Sequence, residues 1–225
     1  KTAKMYTDYS LMTANQEIGT DAAEFFKNMS IGNLHGAYRH LIVSPVSLKA
    51  RVLATMDEEI EKGSAGRIIM KMNSVTDVDF IRKVEEASGA GVKVDLIGRG
   101  ICCILPQVPG HTENVRVTSI VGRYLEHSRI YLFGADEEDA KVYIASADFM
   151  TRNTTKRVEV AAPIWDKAIK ERIMAMFHLM LKDNVKAREL GSDGNYSRVT
   201  DSDVKLNSQE YFFAMSYQQA ENTEK

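Results

Sequence analysis

Two hydrophobic patterns alternate in the central part of the chain: a four-residue spacing and short continuous apolar runs. Apolar side chains recur at every fourth position, at Leu48, Val52, Met56 and Ile60. This spacing predicts an amphipathic helix. Ser44 can cap the helix, Pro45 suits its first turn, and Gly63 ends it.

Short apolar runs lie on either side of this helix. The runs at residues 41–43, 67–72 and 92–97 predict strands, and residues 77–88 predict a second helix. That helix turns four apolar side chains inward, namely Phe80, Ile81, Val84 and Ala87. The order strand, helix, strand, helix, strand predicts a parallel sheet with right-handed crossovers. Arg99 follows the third of these strands, on the side where open α/β sheets usually bind ligands.

The second half of the chain contains more strands and less helix. Strand-like runs occupy residues 115–120, 129–133, 141–146 and 157–162. Because little helix lies between them, we expect a mixed sheet. A long helix is predicted at residues 166–185, and a short final helix near residues 211–215 lies in a polar C-terminal region.

The N-terminal residues show a weaker pattern. Residues 5–14 alternate between apolar and polar side chains, which is typical of a strand. Asp21 and Glu24 resemble a capping pair for a short helix that ends near residue 30. The glycines and polar residues at 32–36 predict a linker.

Composition narrows the class of protein. The chain has 225 residues, of which 44% are apolar, which is enough for one full domain and additional pieces. No apolar stretch is long enough to cross a membrane, and no signal segment follows Lys1, so we expect a cytoplasmic protein. The adjacent Cys102 and Cys103 predict reduced thiols. Because the formal net charge is −2, phosphate binding would need a local concentration of arginine.

One histidine lies among groups that suit phosphoryl transfer. His127 is close in sequence to Tyr124, Glu126 and Arg129, and further arginines follow downstream. A neutral imidazole can attack phosphorus or move a proton, while guanidinium groups neutralise phosphate oxygens. The sequence therefore predicts phosphate chemistry around His127, although a purely structural histidine is the alternative from the residues alone.

Other types of site find less support. The remaining histidines have no metal-ligand spacing; they are His35, His40, His111 and His178. The acidic residues at 136–139 predict a solvated turn, and we expect no metal site in this chain. There is no glycine-rich phosphate loop of the G-x-x-x-x-G-K-[ST] type, so a nucleotide would be held by arginine and by shape.

Five stretches carry a resemblance to a known family. They are Tyr6-Thr-Asp-Tyr9, Val94–Cys103, Ser119–Arg129, Ala145–Asn153 and Arg157-Val-Glu-Val160. In order and spacing they resemble the C-terminal part of bacterial polyphosphate kinase. The resemblance implies an α/β phospholipase D-like domain with a mixed β-sheet flanked by helices. It also implies three regions: residues 1–36 as the end of a preceding phospholipase D-like domain plus linker, 37–190 as the second such domain, and 191–225 as a polar tail with a short helix.

The resemblance also implies substrates and site residues. Tyr6, Arg99 and His127 would line an ATP site, and Arg157, Arg152 and Arg129 would touch phosphate oxygens. ATP or ADP and inorganic polyphosphate would be the substrates, with no nucleic acid. The phosphorylated histidine and most Mg²⁺-binding groups would lie upstream, so we expect a fragment that is inactive alone. The family implies a homo-oligomer, and peripheral membrane association stays open.

The predicted half-site departs from the phospholipase D pattern. That pattern has H-x-K followed by G-S-x-N, whereas Arg129, Ala145 and Asp148 replace the lysine, glycine and asparagine. Asp148 would repel phosphate unless it pairs with arginine or holds one tautomer of His127. We therefore expect His127 to contact phosphate, or act as acid or base, without forming the covalent intermediate. The alternatives are a dimeric phosphodiesterase half-site and a non-catalytic module that binds nucleotide or polyphosphate.

Overall fold

A computed structural model describes residues 5–200 and 203–223, with side chains described as far as residue 218. The strands are β1 (Tyr6–Thr7), β2 (Ile42–Ser44), β3 (Arg67–Lys71), β4 (Lys93–Gly98), β5 (Val115–Ile120), β6 (Leu125–Glu126), β7 (Arg129–Phe133), β8 (Lys141–Ala145), β9 (Glu159–Ile164), β10 (Ala187–Leu190) and β11 (Tyr196–Arg198). The helices are α1 (Gln16–Ser30), α2 (Leu48–Glu61), α3 (Val78–Gly89), α4 (Thr151–Thr155), α5 (Lys167–Leu181) and α6 (Ser208–Thr223).

Nine of these strands form one mixed sheet, as predicted. Its order is β11-β10-β5-β4-β3-β7-β8-β9-β2, and only β3, β4 and β5 run parallel to one another. The strand β2 corrects the prediction, because it lies at the far edge of the sheet and pairs antiparallel with β9. Hydrophobic periodicity identifies a buried strand but does not identify its neighbour, so the parallel series is β3, β4 and β5 instead of β2, β3 and β4.

The two faces of the sheet bury separate cores. Along β7, Tyr131 and Phe133 face the layer formed by α2 and α3, whereas Ile130 and Leu132 face α5. This alternation follows from the two-residue repeat of a strand. The inward residues predicted for α2, α3 and α5 are buried as expected, apart from Ile60, Ile81 and Ile169, which remain partly or largely exposed. Burial of each large apolar side chain contributes about 1.5–3 kcal/mol, so both faces hold the sheet in place.

The first helix begins earlier than predicted and is capped by a different residue. Asn15 accepts hydrogen bonds from the N–H groups of Glu17 and Ile18, at 2.9 and 3.2 Å. Asp21 is therefore not the cap. Its carboxylate lies within α1 and accepts N–H groups from the linker that leads to β2, including that of Leu41 at 2.9 Å. A capping residue and a carboxylate inside the first turns of a helix cannot be distinguished in the sequence, because both place an acid near the start of the helix.

The second helix, in contrast, begins later than predicted. Ser44 is the last residue of β2, and its hydroxyl donates to the carbonyl of Asn153 at 2.5 Å instead of capping α2. Ser47 occupies the cap position, and its hydroxyl bonds the backbone of Val43. Gly63 follows the helix as predicted, with φ of 57°.

The two ends of the described chain meet the region around His127. Within residues 5–14, which were predicted as a strand, only Tyr6 and Thr7 pair, with Leu125 and Glu126 in parallel. The remaining residues lack a partner strand, so alternation alone was misleading there. The polar C-terminal region contributes the edge strand β11 and the sixteen-residue α6, which is longer than the predicted short helix.

Candidate active site

His127 occupies the short connection between β6 and β7. Its backbone N–H donates to the carbonyl of Thr7 at 2.9 Å, which brings the N-terminal residues beside the imidazole. The ring of Tyr6 meets the His127 ring edge to face, with centroids 5.4 Å apart. A carboxylate oxygen of Asp8 lies 3.7 Å from Nδ1. The imidazole is about one third exposed, so a ligand can reach it.

Arg129 is the nearest cation to His127, and it is held by Asp148. Its Nε lies 3.0 Å from one carboxylate oxygen and its Nη2 lies 3.1 Å from the other. The backbone N–H of Asn73 also donates to Asp148, at 2.7 Å. Asp148 therefore meets the first of the two conditions stated for it, namely pairing with an arginine. A planar guanidinium makes this fork readily, whereas the lysine of H-x-K could not.

The third nitrogen of Arg129 contacts the imidazole of His127. Its Nη1 lies 2.9 Å from Nδ1, 3.5 Å from Nε2 and 2.9 Å from the carbonyl oxygen of His127. Because Nη1 is close to both ring nitrogens, it lies over the face of the imidazole and packs the ring in place. The exposed part of the ring stays open to the cleft.

The pKa of His127 lies below its ordinary value. Partial burial is the largest cause, and the positive charges of Arg129 and Arg99 act in the same direction. Asp8 opposes them. A depressed pKa keeps the imidazole neutral near pH 7, so one ring nitrogen can accept a proton while the other carries an N–H that can donate.

His127 opens into a cleft of about 560 Å³. Arg129 and Arg157 supply positive charge to its wall, and Arg157 is exposed. Ser146 and Glu159 line the same cleft. The cleft is also lined by Asp8, so it holds two carboxylates besides the two guanidiniums. Because Arg129 is paired with Asp148, an anion in this cleft would be attracted chiefly by Arg157.

The acidic side of this cleft was not predicted. Glu159 accepts hydrogen bonds from the Ser146 hydroxyl and, at 2.6 Å, from the amide of Asn153. The Ser146 hydroxyl in turn accepts the N–H of Val160 at 3.0 Å. Glu159 is nearly buried, so these donors compensate for the loss of water. The sequence offered one signal, the serine of the G-S-x-N position, but none for its partner.

Arg99 approaches His127 from the other side. It follows β4, is half-buried, and donates from Nε to the carbonyl oxygen of Glu126 at 2.8 Å. Gly100, which follows it, allows a close approach within the chain itself, because a Cβ there would lie 2.7 Å from the carbonyl oxygen of Asn73. Arg99 therefore contacts the peptide that precedes His127, and its charge reaches the imidazole.

Arg152 lies apart from the other predicted residues. It is exposed on α4, its guanidinium lies 3.7 Å from the sulfur of Met150, and it does not line the cleft. The structure thus brings Tyr6, Arg99 and Arg129 close to His127, adds Arg157 on the wall of the cleft, and leaves Arg152 outside it.

Metal-binding clusters and membrane-spanning helices are both absent from the described part of the chain. Among residues 5–200 and 203–223, no group of three or more His, Cys, Asp or Glu side chains is placed to hold a metal ion. Within the same residues, no helix combines the length and apolar character needed to span a bilayer.

The fold and the cleft define the class of this protein. It is an α/β domain with a mixed sheet flanked by helices and a histidine beside a cleft that holds two arginines. Residues 41–209 match the family model described as polyphosphate kinase C-terminal domain 2. The chain belongs to this family.

Two polyphosphate kinases agree with this assignment. A polyphosphate kinase of Bacillus anthracis is 48% identical over 221 residues, which cover 96% of this chain and 31% of the relative. The crystal structure of polyphosphate kinase from Porphyromonas gingivalis aligns with a TM-score of 0.85 at 33% identity, over 94% of this chain and 33% of that one. Nuc, a phospholipase D family member of Salmonella typhimurium, aligns over 71% of this chain and 97% of its own, with a TM-score of 0.48 and 18% identity. The chain thus spans about a third of the length of its curated relatives.

Proposed function

We propose that this chain is the C-terminal part of an ATP:polyphosphate phosphotransferase and forms half of its active site. The full reaction moves the terminal phosphoryl group of ATP onto inorganic polyphosphate, reversibly, through a phosphohistidine outside this chain. The observation that supports this proposal most directly is the cleft that is lined by His127, Arg129 and Arg157 together. Such a cleft binds phosphate oxygens and supplies one proton donor.

The groups in the cleft suit each half of this transfer. In the first half, the bond from the terminal phosphorus to ADP breaks while a bond to the upstream imidazole forms. In the second, that phosphorus–nitrogen bond breaks and the terminal oxygen of polyphosphate is phosphorylated. His127 contacts a phosphate oxygen through a ring N–H, and the guanidinium of Arg157 balances negative charge. Tyr6 and Arg99 complete the ATP side, while Arg152 contributes only if α4 moves or a second chain approaches.

Mg²⁺ would accompany ATP, bound mainly by residues outside this chain. When bound, it would neutralise charge on the phosphate oxygens. In the full-length protein we expect cytoplasmic homo-oligomers, in line with the family resemblance.

The phosphodiesterase alternative is less well supported. A phospholipase D half-site needs a lysine and an asparagine that are free to contact one phosphate. Here Arg129 and Asp148 occupy those positions and bond to each other. Neither side chain is therefore free to contact a phosphate as the lysine and the asparagine would be. A chromogenic phosphodiester tests this alternative directly, and its hydrolysis by the chain would favour it.

The test of the main proposal uses the chain with MgATP and polyphosphate. We expect binding of both by calorimetry, no steady nucleotide turnover, and no acid-labile phosphate on the chain after incubation with ATP labelled at the γ-position. Steady turnover by the isolated chain would contradict the proposal. In a full-length polyphosphate kinase that carries this chain, His127→Ala should abolish synthesis while ATP still binds. Unchanged synthesis would reduce the site to a binding module.

A further inference from the structure

The segment that carries His127 is held by side chains from several distant parts of the chain. Arg99 donates to the carbonyl of Glu126 at 2.8 Å, and Lys71 donates to the carbonyl of Ser128 at 3.2 Å. These are the two residues that flank His127. The position of the imidazole therefore depends on groups that never enter the cleft.

Lys71 and Glu126 form a buried ion pair beneath this segment. The ammonium lies 3.3 Å from one oxygen of Glu126 and 2.9 Å from the hydroxyl of Ser128. The residues are 5% and 8% exposed. Burial lowers the pKa of Lys71, and the carboxylate of Glu126 opposes that effect. Because an unpaired charge at this depth would be costly, each member of the pair requires the other.

Gln209 connects the other oxygen of Glu126 to the C-terminal helix. Its Nε2 donates to Glu126 at 2.8 Å and to the carbonyl of Tyr124 at 3.0 Å, and its Oε1 accepts the N–H of Tyr124 at 3.0 Å. The residue is only 4% exposed. Each donor and acceptor atom of its amide is thus occupied by the segment that leads into His127. Phe213 of the same helix stacks on Tyr124, with centroids 6.0 Å apart.

We infer that Gln209 and the Lys71–Glu126 pair are positioning residues for His127, and that α6 is thereby part of the machinery of the site. This inference rests on the proposed function. The chain of contacts runs from α6 through Gln209 and Glu126 to the peptide of His127, while Lys71 fixes the following residue. When these contacts are intact, the imidazole stays in contact with Arg129 and at the wall of the cleft.

The first experiment compares Gln209→Ala with Gln218→Ala, which removes an exposed glutamine from the same helix. NMR titration of the imidazole reports on His127 directly. We expect Gln209→Ala to raise the pKa of His127 by about 0.3 unit or more, since a looser segment is more hydrated and farther from Arg129 and Arg99. We also expect affinity for MgATP and tripolyphosphate to fall about tenfold, because small misplacements of a binding group are costly. Gln218→Ala should match the unmodified chain.

Further variants separate positioning from folding. Gln209→Glu keeps the size of the side chain and the acceptor for Tyr124 but loses both donors, so it should also disturb His127. The double change Lys71→Met with Glu126→Gln removes both buried charges together, and it should preserve the fold while it shifts the His127 titration. Circular dichroism and the unfolding midpoint identify the folded variants, and the comparison is made among those.

The results distinguish this inference from the proposed function. If the unmodified chain binds neither MgATP nor tripolyphosphate, the proposed function fails, and the His127 titration still decides the positioning role. If folded Gln209→Ala and Gln209→Glu leave the titration and the affinities as they are in Gln218→Ala, the inference is overturned. A shift of the His127 pKa in both Gln209 variants, with Gln218→Ala unchanged, supports it.

Discussion

Arg129 and Asp148 form a two-point ion pair directly beneath the imidazole of His127. Both side chains are about nine-tenths buried, and the guanidinium meets one carboxylate oxygen at 3.0 Å and the other at 3.1 Å. The third nitrogen of the same guanidinium reaches His127. One cation therefore neutralises the carboxylate and contacts the imidazole, so Asp148 lies close to His127 with its charge compensated.

Breaking this pair should be strongly destabilising. Asp148→Ala leaves a buried guanidinium without its partner, so we expect the free energy of unfolding to fall by about 3–5 kcal/mol. Urea denaturation measures the loss. Glu58→Ala is the matched control, because it breaks the exposed ion pair with Lys141 and should cost less than about 1 kcal/mol. Equal losses in the two variants would contradict the role of burial.

The titration of His127 should respond to a bound polyanion. The pKa of His127 is depressed by burial and by Arg129 and Arg99. Polyphosphate beside the ring would favour the protonated form, so its addition should raise that pKa, and by linkage its affinity should rise as the pH falls through the same range. NMR of the imidazole with and without tripolyphosphate checks this. Superimposable titrations would place the anion elsewhere.

The depressed pKa of His127 in the folded chain also affects stability. The folded chain binds a proton at His127 less readily than the unfolded chain does. The contribution of His127 to the free energy of unfolding is therefore complete above the ordinary histidine pKa and is lost as the pH falls through the depressed value.

The positions of the strands and helices along the chain were largely predictable, whereas the pairing of the strands in the sheet was not. The runs at 115–120 and 129–133 coincide with β5 and β7. The first alternates between apolar and polar residues and the second is almost continuously apolar, and short runs of both kinds are typical of strands. The edge position of β2 depends on its pairing with β9, more than a hundred residues away. No local pattern contains that information.

The same distinction applies to the site. His127 and Arg129 lie two positions apart, so the sequence could suggest that they act together. The pairing of Gln209 with Glu126 joins residues 83 positions apart, through side chains with no distinctive spacing. Residue type indicated the chemistry of the cleft, but only the fold shows which groups hold it in place.

Asp21 should be important for the docking of the first helix. Its carboxylate accepts the backbone N–H groups of Arg39, His40 and Leu41. Burial raises its pKa, but these bonds outweigh that effect and hold the pKa below the ordinary value. Asp21→Ala should therefore lower the free energy of unfolding by about 1–3 kcal/mol. The loss is measured near pH 7 by thermal or urea unfolding.

Acid should reproduce the effect of this substitution. A carboxyl with a depressed pKa stabilises the fold above its unfolded pKa, and the stabilisation is lost as the pH falls through the folded value. The difference between the unmodified chain and Asp21→Ala should accordingly shrink in acid. A difference that is independent of pH would show that the charge of Asp21 is not involved. Glu24→Ala, on the exposed side of α1, serves as the control.

Asp183 should control the attachment of α6. One of its carboxylate oxygens accepts three backbone N–H groups from residues 185–187, and the other accepts the N–H and the hydroxyl of Ser208, both at 2.7 Å. The residue is fully buried. Asp183→Ala leaves these donors without a partner, so we expect a loss of about 2–4 kcal/mol.

The loss should appear first at the C-terminal helix. Hydrogen exchange and limited proteolysis should show that α6 opens before the sheet does in Asp183→Ala, whereas Lys182→Ala, an exposed neighbour, should behave like the unmodified chain. Hydrogen bonds from the backbone and from Ser208 outweigh burial and depress the pKa of Asp183, so α6 should also loosen as the pH falls through that depressed value. If α6 were to stay protected until the sheet unfolds, Asp183 would stabilise the whole fold and would have no separate role in holding this helix.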